Sequence, residues 1–99
     1  MFVGIDVAKN SLVAHAMDDQ GENIFHSYSV NNNRPGCLKL INLIADNANL
    51  LQPEVIKVGM EATNVFWEHC YRLIKNHKQL NSNFNLQIYT VNPKVISNF

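Results

Sequence analysis

The hydrophobic period of this chain changes across Asn31-Asn32-Asn33-Arg34-Pro35-Gly36, and that change limits what the chain can become. Before it, three short runs read as strands. "MFVGIDV" (1–7) is apolar with β-branched residues, and "SLVAHAM" (11–17) follows after the break Ala8-Lys9-Asn10. "DDQG" supplies a turn into "ENIFHSYSV" (22–30), where Ile24, His26 and Tyr28 alternate with Phe25, Ser27 and Ser29. Side chains alternate across a strand, so three such runs joined by tight breaks predict an antiparallel meander. After the change, Leu38, Ile41, Ala45 and Ala48, flanked by Leu40, Leu43 and Ile44, recur at helical spacing. With Pro35 near the start, residues 34–50 predict an amphipathic helix packed on the sheet.

Strand and helix then alternate. "EVIKVGMEA" (54–62) reads as a fourth strand and "TNVFWEHCYRLIKNH" (63–77) as a second helix with Thr63 as N-cap. "LQIYTVNP" (86–93) reads as a last extended element ended by Pro93. The order is βββαβαβ. A meander followed by right-handed crossovers gives a mixed α/β sheet whose first, fourth and fifth strands pair in parallel, the order of a ribonuclease-H-like core.

A length of 99 residues allows one domain, 1–99, with a single core. Apolar residues make up 46% and charged residues 16%, with no disordered block, membrane-length apolar run or leader, so a soluble cytoplasmic protein without a membrane partner is expected. Cys37 and Cys70 lie far apart with no CxxC spacing, which indicates neither zinc nor a disulfide framework and leaves both thiols reduced. The formal net charge of zero lacks the basic excess that marks most phosphate binders, so a basic surface would have to come from residues outside this chain. The asparagine clusters in "VNNNRPG", "DNANL" and "NHKQLNSNFN" read as turn and loop chemistry and receive no function.

Two strand ends match. Val3-Gly4-Ile5-Asp6 and Val58-Gly59-Met60-Glu61 share the order Val, Gly, large apolar, carboxylate, and in each strand the Gly and the acid fall on one face. Parallel neighbours in register would bring Asp6 and Glu61 together, with the strands about 4.8 Å apart. Two carboxylates that close repel unless a cation lies between them, and Mg²⁺ suits one or two carboxylates completed by water and substrate phosphate oxygens. Functional residues in open α/β sheets gather at the carboxyl ends of parallel strands. The plainer account makes Asp6 a turn cap and Glu61 a residue near a helix N-terminus, and gives the glycines to close packing of a helix on the sheet.

Other residues weigh less. Phe66, Cys70, Leu73 and Ile74 form an apolar stripe that assigns Cys70 to the core, and the adjacent His69 suits no metal. His15 and His26 lie on separate strands without a carboxylate or cysteine partner, and Trp67 covers the core rather than stacking on a base. Lys9 and Lys94 follow strand ends on the edge of Asp6 and Glu61 and are candidates for phosphate contacts. Thr63, at a helix N-terminus, is a weaker candidate of the same kind.

"VGIDVAKNSL", "VGMEATNVFWEHCYRLI" and "IYTVNPKVISNF" resemble the amino-terminal part of the DEDD transposases of the insertion-sequence one-ten family, relatives of Piv-type DNA invertases. The likeness spans nearly the whole chain. Its specific part is Gly-Met-Glu-Ala-Thr followed by a hydrophobic pair and Glu, since Gly-Ile-Asp alone also opens sugar kinases and actin-like ATPases. The resemblance implies a fold similar to the Holliday-junction resolvase RuvC. It implies DNA cutting and joining with four acidic residues and Mg²⁺ or Mn²⁺, a serine nucleophile from a separate carboxyl-terminal domain and, in some members, guidance by a bridge RNA. Asp6 matches the first acid and Glu61 the second. The other two aspartates belong to a Lys-Thr/Asn-Asp-x-x-Asp-Ala motif beyond "NPKVISNF", and the sequence ends at Phe99 before it. The expectation is therefore an incomplete RuvC-like domain, truncated before its last helix, that binds Mg²⁺ weakly, does not cut DNA alone and self-associates through the uncovered sheet.

Two other readings stay open at this point. An actin-like or sugar-kinase-like ATPase lobe would carry Gly and Ser/Thr in the first turn, where this chain has Ala8 and Lys9. A non-catalytic DNA-binding or assembly module would share the fold without turnover.

Overall fold

The first break in the sequence makes the hairpin it predicts. In the computed structural model, which describes residues 1–61 and 65–91, β1 (Phe2–Val7) and β2 (Ser11–Met17) pair antiparallel, and the Ala8 N–H donates to the Ser11 carbonyl across the turn at 2.9 Å. β3 (Asn23–Asn31) completes the meander. α1 (Arg34–Leu51) then crosses to β4 (Ile56–Glu61), which pairs parallel with β1. A 3-10 turn (Val65–Trp67), α2 (Glu68–Lys75) and α3 (Lys78–Asn83) lead to β5 (Leu86–Val91), parallel to β4. The five strands lie in the order β3-β2-β1-β4-β5, as expected of the ribonuclease-H-like arrangement.

Among the described residues, one face of this sheet is covered by helices and the other is open. Val3, Ile5 and Val7 of β1, Leu12 and Ala14 of β2, and Ile56, Val58 and Met60 of β4 share a core with Leu40, Ile41, Ile44 and Ala48 of α1 and with Cys70, Ile74 and Leu80. The buried stripe of α1 runs through Cys37, Leu40, Ile41, Ile44 and Ala48, while Leu38 and Ala45 sit half-buried at its margin, one step round the helix from the predicted centre. Each such Ile or Leu contributes about 1.5–3 kcal/mol by leaving water. The alternate residues Phe2, Gly4 and Asp6 point to the open face.

Four local expectations are corrected. The alternation in β3 fails because Ser27 adopts a left-handed φ of 54° and the register slips between Ala14/Tyr28 and Ala16/Phe25. That bulge places two residues opposite His15 and brings Phe25 and Tyr28, three apart, into edge contact at 6.3 Å. The helix expected over 63–77 is a 3-10 turn followed by α2, so Phe66 is exposed and falls out of the predicted stripe; Thr63 lies outside the described residues. The "DNANL" cluster is helical, at the end of α1. Lys78–Asn83, read as loop, is α3, because His77 Nδ1 accepts from the Leu80 N–H and Asn81 Nδ2 donates to the carbonyls of Ile74, Lys75 and His77. Asn33 does act locally as expected of its type: its side chain accepts from the Gly36 N–H at 2.8 Å and caps α1.

Candidate metal centre

The matched strand ends are brought together by the register. Phe2 pairs with Lys57, Val3 with Val58, Gly4 with Gly59 and Ile5 with Met60, so one step further along the same register Asp6 stands beside Glu61. Both belong to their strands, since Asp6 also pairs with Val13 and Glu61 with Val91. Both acids are exposed, at the carboxyl ends of two parallel strands in the middle of the sheet. Alternation puts both on the open face.

The two glycines face the same way. A Cβ on Gly4 or Gly59 would meet nothing within 4 Å, so neither residue makes room for a helix, and that account of the glycines is overturned. They form the floor of a shallow apolar groove of about 460 Å³, bordered by Phe2, His15, Met17, Lys57 and Tyr89, on the face that carries the acids.

His15 enters the site from β2, a placement the sequence did not signal as functional. It pairs with Gly4 and so shares the face of Asp6, and its Nε2 lies 4.0 Å from Asp6 Oδ2. The bulge in β3 turns the Ser27 N–H onto His15 Nδ1 at 3.2 Å. That nitrogen accepts from Ser27, and Nε2 is the ring nitrogen that faces Asp6. His26 Nδ1 approaches the same Nδ1 at 3.3 Å. A hairpin closed at Ala8-Lys9-Asn10, with its register counted outward, is the signal that would have found His15.

Lys9 is exposed in the β1–β2 turn, beyond the carboxyl end of β1. Lys94 and Thr63, the other candidates for phosphate contact, lie outside the described residues. Cys70 is buried, as expected of a core residue, and Trp67 is half-buried with its ring edge-on to Tyr71 at 5.6 Å. Cys37 and Cys70 are free thiols with their sulfurs 3.4 Å apart between α1 and α2. Each affects the other's ionisation. The shared hydrogen bond lowers the Cys37 pKa against the opposing effect of burial, and it raises that of Cys70, with burial adding to the rise.

A family model for DEDD transposases of the IS110 type, described as "Transposase", matches residues 3–99. The chain belongs to this family. No curated protein matches it. Membership in the DEDD transposases agrees with the strand order of the sheet. Among the described residues of this transposase chain, no group of three or more His, Cys, Asp or Glu is placed to hold a metal. Two hard, exposed carboxylates on adjacent strands fit the partial ligand set that a divalent cation takes from protein when water and phosphate supply the rest. No described helix is long and apolar enough to cross a membrane.

Proposed function

We propose that this chain is the amino-terminal part of a transposase catalytic domain, residues 1–99, and that Asp6 and Glu61 supply two ligands to Mg²⁺ or Mn²⁺. The observation that supports the reading is the β1–β4 register, which pairs Ile5 with Met60, the residues just before the two acids, at the carboxyl ends of both strands. Held by Asp6 and Glu61, a divalent cation would supply polarisation of a phosphate oxygen and stabilisation of the attacking and leaving oxygens in strand cleavage and transfer. The chain's own part is to hold two carboxylates on rigid strands, with Lys9 on the same edge to meet the DNA backbone, and Lys94 and Thr63 assigned the same task. DNA is the substrate partner, a bridge RNA is a partner of the full-length protein, and a second copy of the chain covers the open sheet face. The protein works in the cytoplasm.

The test is Mn²⁺ titration of the chain followed by electron paramagnetic resonance, with DNA cleavage assayed in parallel. Weak Mn²⁺ binding that disappears in Asp6→Asn is expected, because two carboxylates leave most of the octahedral shell to water. Equal binding by the wild-type chain and Asp6→Asn would remove Asp6 from the ligand set. Metal-dependent cutting of DNA by the 99-residue chain, lost in Asp6→Ala, would overturn the view that it holds only part of the site.

A further inference from the structure

We propose that Asn32 is a positioning residue that ties the turn behind Asp6 to the turn behind Glu61 and so fixes the two carboxylates relative to each other. The inference rests on the metal site proposed above. Asn32 belongs to neither acid-bearing strand; it lies between β3 and α1. Its backbone N–H donates to the Asn10 carbonyl at 3.1 Å. Its side-chain Nδ2 donates to the Ala8 carbonyl at 2.8 Å and to the Phe66 carbonyl at 3.2 Å. Ala8 and Asn10 form the turn through which the chain leaves β1 after Asp6, and Phe66 is in the 3-10 turn downstream of Glu61.

The geometry specifies the residue type. A primary amide carries two N–H donors, and here both go to carbonyl oxygens from separate segments. Both partners accept, so only the nitrogen end of the side chain can face them. Asp would set oxygen against oxygen, Ser would offer one donor and Ala none. The position of Asn32 is itself held, by β3 on one side and on the other by Asn33, whose carbonyl accepts from the Cys37 N–H at 2.9 Å as its side chain caps α1. The site thus gains a brace from a third segment. β1 and β4 align the two strands by backbone pairing, while Asn32 ties the β1–β2 turn to the 3-10 turn.

Removing a group that orients metal ligands costs about 10–100-fold in affinity. Asn32 acts on the loops rather than on the ligands, so a smaller loss, about 3–10-fold, is expected on the same basis. The test uses the full chain as wild type, Asn32→Ala, Asn32→Asp and Asn47→Ala. Asn47 Nδ2 donates to the Leu43 carbonyl within α1 at 2.9 Å, so its loss removes the same kind of bond with no route to the acids. Mn²⁺ affinity is read by electron paramagnetic resonance, and amide hydrogen exchange of residues 7–11 and 65–67 is measured on the metal-free chain. Both Asn32 variants should lose Mn²⁺ affinity and exchange faster in both turns, whereas Asn47→Ala should do neither. Wild-type affinity with unchanged exchange in Asn32→Ala would overturn the proposal, and so would faster exchange spread evenly over the chain, the mark of a merely structural role. A wild-type chain that binds no Mn²⁺ defeats the metal reading of Asp6 and Glu61, and the exchange measurement then decides by itself whether Asn32 couples the two turns.

Discussion

Gly36→Ala separates local propensity from packing with opposite signs. Gly36 is in the first turn of α1, buried, and among the described residues its φ is not one of the positive ones. Helix propensity alone therefore predicts that Ala would stabilise the chain by about 1 kcal/mol. A Cβ at this position would overlap the backbone carbonyl oxygen of Asn31, with the carbonyl carbon at 2.9 Å and the Asn31 nitrogen at 3.0 Å. These are backbone atoms at the end of β3 and cannot rotate aside, so relief requires the first turn of α1 to slide away from the strand. Overpacking of this kind costs about 1–3 kcal/mol. The same slide pulls the Gly36 N–H from the Asn33 side chain, and losing a cap costs about 0.5–2 kcal/mol. Set against the propensity gain, a net loss of about 2 kcal/mol is expected, which for a chain of this size lowers Tm by about 8–16 °C. Urea unfolding and thermal melts followed by circular dichroism measure it. A midpoint equal to or above wild type, at unchanged m, would refute the reasoning.

Self-association follows from the open face, where Phe2 and Met17 are each 43% exposed and Tyr89 48%. Light scattering at high concentration should show a dimer that Tyr89→Lys disperses, and a strict monomer at all concentrations would contradict it. Stability should also fall in alkali. The folded-state pKa of Cys70 is raised by the hydrogen bond to Cys37 and by burial, so above the unfolded thiol value of about 8.5 the unfolded chain ionises first and stability falls as pH rises. Cys37, shifted downwards, contributes the opposite slope until the unfolded thiol is fully ionised, and none well above about pH 8.5. Urea midpoints at pH 8, 9 and 10 test this, and a slope that persists unchanged in Cys70→Ala would assign it to other groups.

The elements that depend on hydrophobic period were legible in the sequence. Val3, Ile5 and Val7 alternate with Phe2, Gly4 and Asp6 without interruption, and Ile41, Ile44 and Ala48 keep one helical face, so β1 and α1 announce themselves. The parallel pairing of β1 with β4 was legible for the same reason, because their matched Val-Gly-apolar-acid order aligns Val3 with Val58 and Gly4 with Gly59. What the sequence hid depends on single side chains acting on backbone. Ser27 breaks β3 by taking a conformation that its residue type does not advertise, and with it the alternation around His26 fails. α3 is short and polar, and it is held by the carbonyls that Asn81 and the cap His77 engage rather than by an apolar stripe. Asn32 and Asn33 look identical in a run of three asparagines, yet one donates to two distant turns and the other caps a helix. Composition cannot distinguish them, because the difference lies in which backbone groups come within reach once the sheet has formed.

The slipped register of β3 also makes the two borders of the sheet unequal. β3 and β5 are the outer strands. An outer strand offers its free backbone groups to any passing chain, and bulges spoil that offer by breaking the even spacing a new strand would need. β3 is broken in this way at two places, and its residue Ser27 turns an N–H inward to His15. β5 pairs with β4 in unbroken register from Leu86 to Val91 and carries no charged side chain. Among the described residues the sheet therefore has one border whose spacing is broken and one whose spacing is even, and of the two it is the β5 border that keeps the geometry a further strand would need.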